Sequence, residues 1–200
     1  MAVDFRALVV IMLSAALVNN FVLRRFLGIC PFLGVSKEMK NSVGMSVSVI
    51  FVMLIASSVT WPIQKYLLDP SGLGFMQTVV FILVIATLVQ LVEITLKRFL
   101  PSIHASLGVF LPLITTNCAI LGLTISNINS GYTFLESLVN ALGAGLGFLL
   151  AMVIFTGLRE QTESSEPPKA FDGLPITLIS AAILSMAFFA FEGVAENLLK

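Results

Sequence analysis

Two side chains in this 200-residue sequence are equipped for chemistry that its many apolar residues cannot do: Cys30 and Cys118, its only cysteines. Each by itself reads as a small buried hydrophobe, and two are too few for a disulfide scaffold. Their company points further. Cys118 follows Thr115-Thr116-Asn117, donors suited to hydrogen-bonding a charged thiolate group, and Arg24 and Arg25 stand just before Cys30, where they could offset negative charge. A disulfide between the two would need no polar surroundings; a metal centre would. Iron–sulfur clusters take four cysteine ligands as a rule. A cluster here therefore needs two more thiolates from a second protein chain.

The remaining candidates are weaker. Glu93 and Glu192 fall at the ends of apolar stretches on opposite faces, and acids near a membrane path are candidates for moving an ion. The plainer alternative seats each in the headgroup region. His104 is the only histidine, near the start of an apolar stretch, which suits an interfacial position better than ligation or proton relay. Gly143-Ala-Gly-Leu-Gly147 has no preceding strand and no basic residue nearby, so close helix packing explains it better than a phosphate cradle.

The medium that holds these residues follows from composition. The chain is 58% hydrophobic and 11% charged, with a mean hydropathy of +1.02, whereas soluble domains carry roughly 25% charge. Eleven basic residues balance eleven acidic ones, which excludes nucleic-acid binding as a main role. The most polar stretch, residues 159–172, is too short to bury a core of its own, so no separate soluble catalytic domain is present in it. The chain reads as one polytopic membrane domain over residues 1–200.

A crossing helix needs about 20 apolar residues. Six stretches free of Asp, Glu, Lys and Arg approach or exceed that length: 7–23, 41–64, 70–92, 99–135, 137–158 and 173–191. The fourth is too long for one helix, and the turn chemistry after Asn127 predicts its end near Ser126. A shorter apolar piece, 26–36, contains Gly28, Pro31 and Gly34 and is too broken to cross alone. It either continues span one as a broken helix or dips back as a re-entrant segment. Six spans put both termini on one side. Loops one, three and five carry Arg24, Arg25, Lys37, Lys40, Lys97, Arg98, Arg159 and Lys169, eight in all, against three on the other face, Arg6, Lys65 and Lys200. The positive-inside rule then places both termini outside the cytoplasm. Trp61 and Tyr66 fall where an aromatic belt would anchor span two.

The two halves of the chain also resemble each other. A shift of 99 aligns Asn41 with Asn140, Gly44 with Gly143, Ser46 with Gly145, Ser48 with Gly147, Gly74 with Gly173 and Glu93 with Glu192. A shift of 88 aligns Cys30-Pro-Phe-Leu-Gly34 with Cys118-Ala-Ile-Leu-Gly122. Three spans per half make the second half enter the membrane upside down. The expected fold is all-α and integral to the membrane: six transmembrane helices as two inverted three-helix repeats, about 5–97 and 103–198, with interrupted first helices. Gly28, Pro31 and Gly34 mark one interruption, Pro112 and Gly122 the other. The cysteines should then face each other near mid-membrane.

These same segments carry a family resemblance. The run from Val18-Asn-Asn-Phe through Arg24-Arg-Phe-Leu-Gly-Ile-Cys-Pro-Phe-Leu-Gly34, and Leu107-Gly-Val-Phe-Leu-Pro-Leu-Ile-Thr-Thr-Asn-Cys-Ala-Ile-Leu-Gly122, closely resemble the A-type subunits of bacterial Rnf complexes, which are ion-translocating ferredoxin:NAD oxidoreductases. The similarity covers nearly the whole chain, including Phe81-Ile-Leu-Val-Ile-Ala86, Gln90, Glu93 and Arg159-Glu160. The paralogous E-type subunit of the sodium-pumping NADH:quinone reductase is similar too, but Asn19-Asn20 and Thr115-Thr116-Asn117 look more like the Rnf version.

The resemblance implies a six-span subunit of a translocase of the bacterial inner membrane, not catalytic alone. It implies a homologous partner, the E-type subunit of the Rnf complex, of opposite orientation. It also implies one mid-membrane [2Fe-2S] cluster to which each of the two gives two cysteines, here Cys30 and Cys118. Electrons from ferredoxin would cross by way of the cluster to outer flavins and return to NAD, and redox change would drive pumping of Na+ or H+. The competing class is a redox-inactive inverted-repeat transporter or scaffold in which the cysteines only pack.

Overall fold

Helix lets a backbone in hydrocarbon satisfy its own polar groups, and every regular element in the computed structural model, which describes residues 5–36, 38–72, 74–99, 111–165 and 173–198, is helical. Helix α1, Phe5–Leu13, is carried on by a π turn, Ser14–Val18. Helix α2, Ile29–Val35, is only seven residues long. Helix α3, Met39–Ile63, contains Pro62 and is extended by a second π turn, Gln64–Leu68, and by Asp69–Ser71. Helix α4 is Gln77–Phe99, α5 Leu111–Thr115 and α6 Cys118–Asn129. Helix α7, Phe134–Glu163, starts with a capping box in which Thr133 and Glu136 satisfy each other's backbone N–H groups. Helix α8 is Leu174–Leu198.

Among the described residues three helices are long and apolar enough to cross a bilayer, Met39–Ser71, Gly74–Ile94 and Phe134–Thr162, and two shorter apolar ones are Leu8–Val18 and Leu174–Phe189. The second and fifth sequence stretches are thus unbroken helices, the third is one only from Gly74, after a left-handed turn at Gly72, and the first and fourth are broken. The first helix ends at Val18, and the chain does not pass Arg24 and Arg25 as a straight helix. Phe26 at φ 54° and Gly28 at φ 84° turn it left-handed before α2 begins. In the fourth stretch α5 and α6 are separated at Thr116 and Asn117. The helix expected to end near Ser126 continues to Asn129, and the turn comes at Gly131, φ 67°. His104, Lys37, Lys169, Lys200 and the Pro167-Pro168 connector lie outside the described residues.

The centre of the fold is the antiparallel pair α3 and α7, its most extensive helix contact. Met45, Val49, Val52, Met53 and Ala56 of α3 meet Ala141, Ala144, Phe148, Ala151, Met152 and Phe155 of α7 in one buried cluster, at the three- and four-residue spacing of a helix face. At one end Trp61 Nε1 donates to the Tyr132 carbonyl at 2.8 Å; at the other the Ser42 and Thr156 hydroxyls are 2.8 Å apart. Helix α1 lies on α7 at backbone contact. A Cβ added at Gly143 would stand 2.6 Å from the Met12 carbonyl oxygen, and one at Gly147 would stand 2.7 Å from that of Ala16. The Gly-x-x-x-Gly spacing is packing, as its sequence context indicated.

Candidate functional site

The two helix breaks meet. The backbone N–H of Gly28 donates to the Cys118 Sγ at 3.0 Å. The approach is so close that a Cβ on Gly28 would lie 3.0 Å from Phe148 Cε2, 3.2 Å from Ala119 Cβ and 3.3 Å from Asn117 Oδ1. Cys118 is the first residue of α6 and half-buried, and Cys30 lies in the first turn of α2 with its side chain exposed. The start of the twelve-residue α6 presents the positive end of its dipole, which favours a thiolate.

The depth of this junction follows from where the short helices end. Helix α2 finishes beside the start of α3, where Ser42 Oγ donates to the Val35 carbonyl at 3.4 Å. Helix α6 finishes at the Tyr132 turn beside Trp61, at the far end of α3. Diverging from a common start, α2 and α6 run to opposite ends of a 25-residue helix, about 37 Å long at 1.5 Å per residue. The cysteine-bearing breaks lie between those ends.

Asn117 is the N-cap of α6: its buried Oδ1 accepts from the Ala119 N–H at 3.0 Å. Its Nδ2 is also buried and has no hydrogen-bond partner among the described residues. A buried donor without an acceptor is costly in a low-dielectric interior, and this one belongs to the residue directly preceding Cys118. Thr115 is half-buried at the end of α5, and Thr116 is exposed in the turn.

Irregular backbone inside a membrane needs partners for its polar groups, and the segment between α1 and α2 finds them in two residues the sequence reading assigned no part in the site. Asn20 is 1% exposed and fully engaged. Its Nδ2 donates to the Gly147 carbonyl at 2.8 Å and the Ala16 carbonyl at 3.2 Å, and its Oδ1 accepts from the N–H groups of Val22 at 3.0 Å and Leu23 at 3.3 Å. Ser185 Oγ on α8 donates to the Leu23 carbonyl. An asparagine in an otherwise apolar run just before a break was a usable signal for Asn20. Ser185 had none.

The other expected residues are placed differently. Arg24 Nη1 donates to Asn19 Oδ1 at 2.6 Å. Arg25 lies over the Phe21 ring and donates to Ser126 Oγ at 3.3 Å, eight residues beyond Cys118 towards the Trp61 end. Both arginines therefore belong to the break, not to a loop at the Arg159 end, and the basic asymmetry falls from eight against three to six against three. Arg25, Ser14, Asn19, Ser126, Ser130 and Asn140 line a polar cavity of about 140 Å³. Glu93 lies at the end of the apolar span Gly74–Ile94 and Glu192 just beyond the apolar segment Leu174–Phe189, while the helices themselves run on, α4 to Phe99 and α8 to Leu198. Among the described residues no three of His, Cys, Asp and Glu come together, and Cys30 and Cys118 are the sulfur ligands the chain has to offer.

Comparison with known proteins adds a further finding. A family model described as "Rnf-Nqr subunit, membrane protein" matches residues 8–195. The sequence is 55% identical over 186 residues to the A-type subunit of the Na(+)-translocating ferredoxin:NAD(+) oxidoreductase complex of Acetobacterium woodii, covering 93% of this chain and 97% of that protein. It is 54% identical over 190 residues to the A-type subunit of the ion-translocating oxidoreductase complex of Syntrophotalea carbinolica, covering 95% and 98%. To its counterpart in an Azoarcus species it is 46% identical over 187 residues, covering 94% and 97%.

Proposed function

The chain belongs to the Rnf-Nqr family of membrane subunits, and from that premise we propose that it is the A-type subunit of an ion-translocating ferredoxin:NAD oxidoreductase, carrying electrons within the bilayer. Cys30 and Cys118 hold half of a [2Fe-2S] cluster, and a homologous E-type subunit of opposite orientation supplies the other two thiolates. The observation that carries this reading is the 3.0 Å hydrogen bond from the Gly28 N–H to the Cys118 sulfur, which draws together two cysteine segments far apart in sequence.

The donor set fits such a group. Two sulfurs from one chain leave two ligand positions for a partner. The Gly28 N–H donates to the Cys118 sulfur, and the orphaned Asn117 Nδ2 belongs to the residue directly before it; donors to sulfur stabilise negative charge. When bound, the cluster supplies a one-electron carrier. The chain's own part is to hold both thiolates, to place donors against them and to keep water out with buried Phe148, Ala119 and Ile120. The order of elements in each half, a broken helix followed by two long ones, supports the reading of two inverted three-helix repeats. The basic residues, six against three in favour of the Arg159 end, support an inner-membrane protein with both termini on the non-cytoplasmic side. Transport of Na+ or H+ is coupled to the redox step, with Glu93 and Glu192 as the acids on or near the ion's path.

The test is iron content and EPR of the complex purified with its partner. Cys30→Ser and Cys118→Ser should each remove the [2Fe-2S] signal, abolish ferredoxin-to-NAD electron transfer and loosen the partner chain, because a cluster ligated from two chains is itself a crosslink. Serine for a merely packed cysteine should cost only about 1 kcal/mol and leave the complex assembled and turning over. That result, or a colourless, EPR-silent complex with full activity, would overturn the reading in favour of a redox-inactive transporter or scaffold.

A further inference from the structure

Helix α2 is too short to hold itself, since a helix of two turns scarcely repays its nucleation. Its position is set by what it is docked against. Phe32 stacks on Phe155 of α7, centroids 4.0 Å apart and planes 20° apart. One turn further along α7, Arg159 Nη1 donates both to the Leu33 carbonyl at 3.0 Å and to Ser36 Oγ at 3.1 Å. Ser36 is fully buried. The last carbonyls of a helix have no partner within it, and here Leu33 receives one from α7 while Val35 receives Ser42 Oγ from α3. A cation at this end also complements the local backbone charge.

We propose that Arg159 is the positioning residue for Cys30, fixing the thiolate's place by clamping the far end of its short helix to α7; the inference rests on the reading of Cys30 as a cluster ligand. Leu33 follows Cys30 by three residues, about 4.5 Å of helix rise, so a shift of the clamped end is passed to the sulfur with little loss. Metal ligation tolerates displacements of only about 0.2 Å. Cys118 leads a different helix, and its tie to the clamped segment is the single bond from the Gly28 N–H at the N-cap of α2. The guanidinium also places a positive charge within two turns of Cys30, and that charge favours the reduced, more negative state of whatever the thiolate holds.

The experiment uses the complex purified with its partner, comparing Arg159→Gln, Arg159→Lys and Ser36→Ala with the unaltered protein. Arg159→Gln should lower the midpoint potential of the EPR signal. In iron-free complex it should raise the rate of Cys30 alkylation by N-ethylmaleimide several-fold and that of Cys118 by much less. Arg159→Lys keeps the charge and loses the planar fork, and should restore the potential more fully than the alkylation rate. If Arg159→Gln does not accumulate, Ser36→Ala, which removes an acceptor of the guanidinium and keeps its charge, carries the test through a smaller rise in Cys30 alkylation. Unchanged potential and unchanged Cys30 reactivity in the variant that assembles would overturn the proposal, as would equal acceleration at Cys118, which would mean general loosening. An unaltered complex without a cluster signal, or a Cys30→Ser variant that keeps one, would instead sink the cluster reading itself.

Discussion

Gly28 and Cys118, ninety positions apart, are joined by a 3.0 Å hydrogen bond from backbone nitrogen to sulfur. The bond exists because Gly28 sits at φ 84°, with Phe148, Ala119 and Asn117 where a side chain would be. Gly28→Ala should therefore lose stability twice: about 1–2 kcal/mol for the left-handed backbone, and more for the contact with Phe148. In the purified complex it should lower the melting temperature and raise the alkylation rate of Cys118 in the absence of iron. A melting temperature and a Cys118 rate equal to those of the unaltered complex would show that this contact does not hold the break.

Asn117 combines two roles that substitutions can separate. Asn117→Ser keeps an N-cap acceptor for the Ala119 N–H but removes the buried Nδ2. It should leave α6 and the iron in place while lowering the midpoint potential, since the unpartnered donor left for a bound cluster's sulfur is removed. Asn117→Ala should add about 1 kcal/mol of instability from the missing cap. If Asn117→Ser leaves the potential unchanged, Nδ2 is aimed elsewhere.

Asn20 is the residue on which the interrupted first helix depends. Asn20→Ala leaves the Val22 and Leu23 N–H groups without their acceptor in a buried site, at a cost of about 2–4 kcal/mol for the pair. Denaturation of the detergent-solubilised protein followed by melting should show a large fall. A change within error would mean that water replaces the amide.

The glycines of α7 offer a paired comparison. At Gly143 and Gly147 a Cβ meets the backbone of α1 at 2.6 and 2.7 Å, whereas at Gly157 nothing lies within 4 Å. Gly147→Ala should push α1 off α7 and cost about 1–3 kcal/mol. Gly157→Ala should be neutral or stabilise by up to about 1 kcal/mol through helix propensity. Equal melting temperatures for the two variants would contradict the contact.

The orientation can be read from either end. With Arg24 and Arg25 assigned to the break, the basic residues still stand six against three in favour of a cytoplasmic Arg159 end. A reporter fused after Lys200 should be active outside the cytoplasm, and one inserted between residues 166 and 172 should be active inside. The reverse pattern would exchange the faces that Glu93 and Glu192 approach.

Composition and charge spacing by themselves determined that this is a helical membrane protein, because length without charge is what a bilayer demands of a span. Motif spacing marked Cys30 and Cys118 as a related pair, with Gly28, Pro31 and Gly34 at one break and Pro112 and Gly122 at the other, whereas the second break falls at Thr116 and Asn117. Tertiary structure alone decided which faces are buried. Val43, Val47 and Phe51 point outward from α3 and are as apolar as Met45, Val49 and Met53, which point inward. Lipid is as apolar as a protein core, so hydropathy carries no signal for the choice, and close packing makes it instead. The polar partnerships were equally hidden. Asn20 reaches Gly147 across 127 positions, Arg159 reaches Leu33 across 126, and Arg25 finds Ser126 rather than Cys30. A hydrogen bond of that kind depends on where two helices cross, and a crossing has no local pattern in the chain.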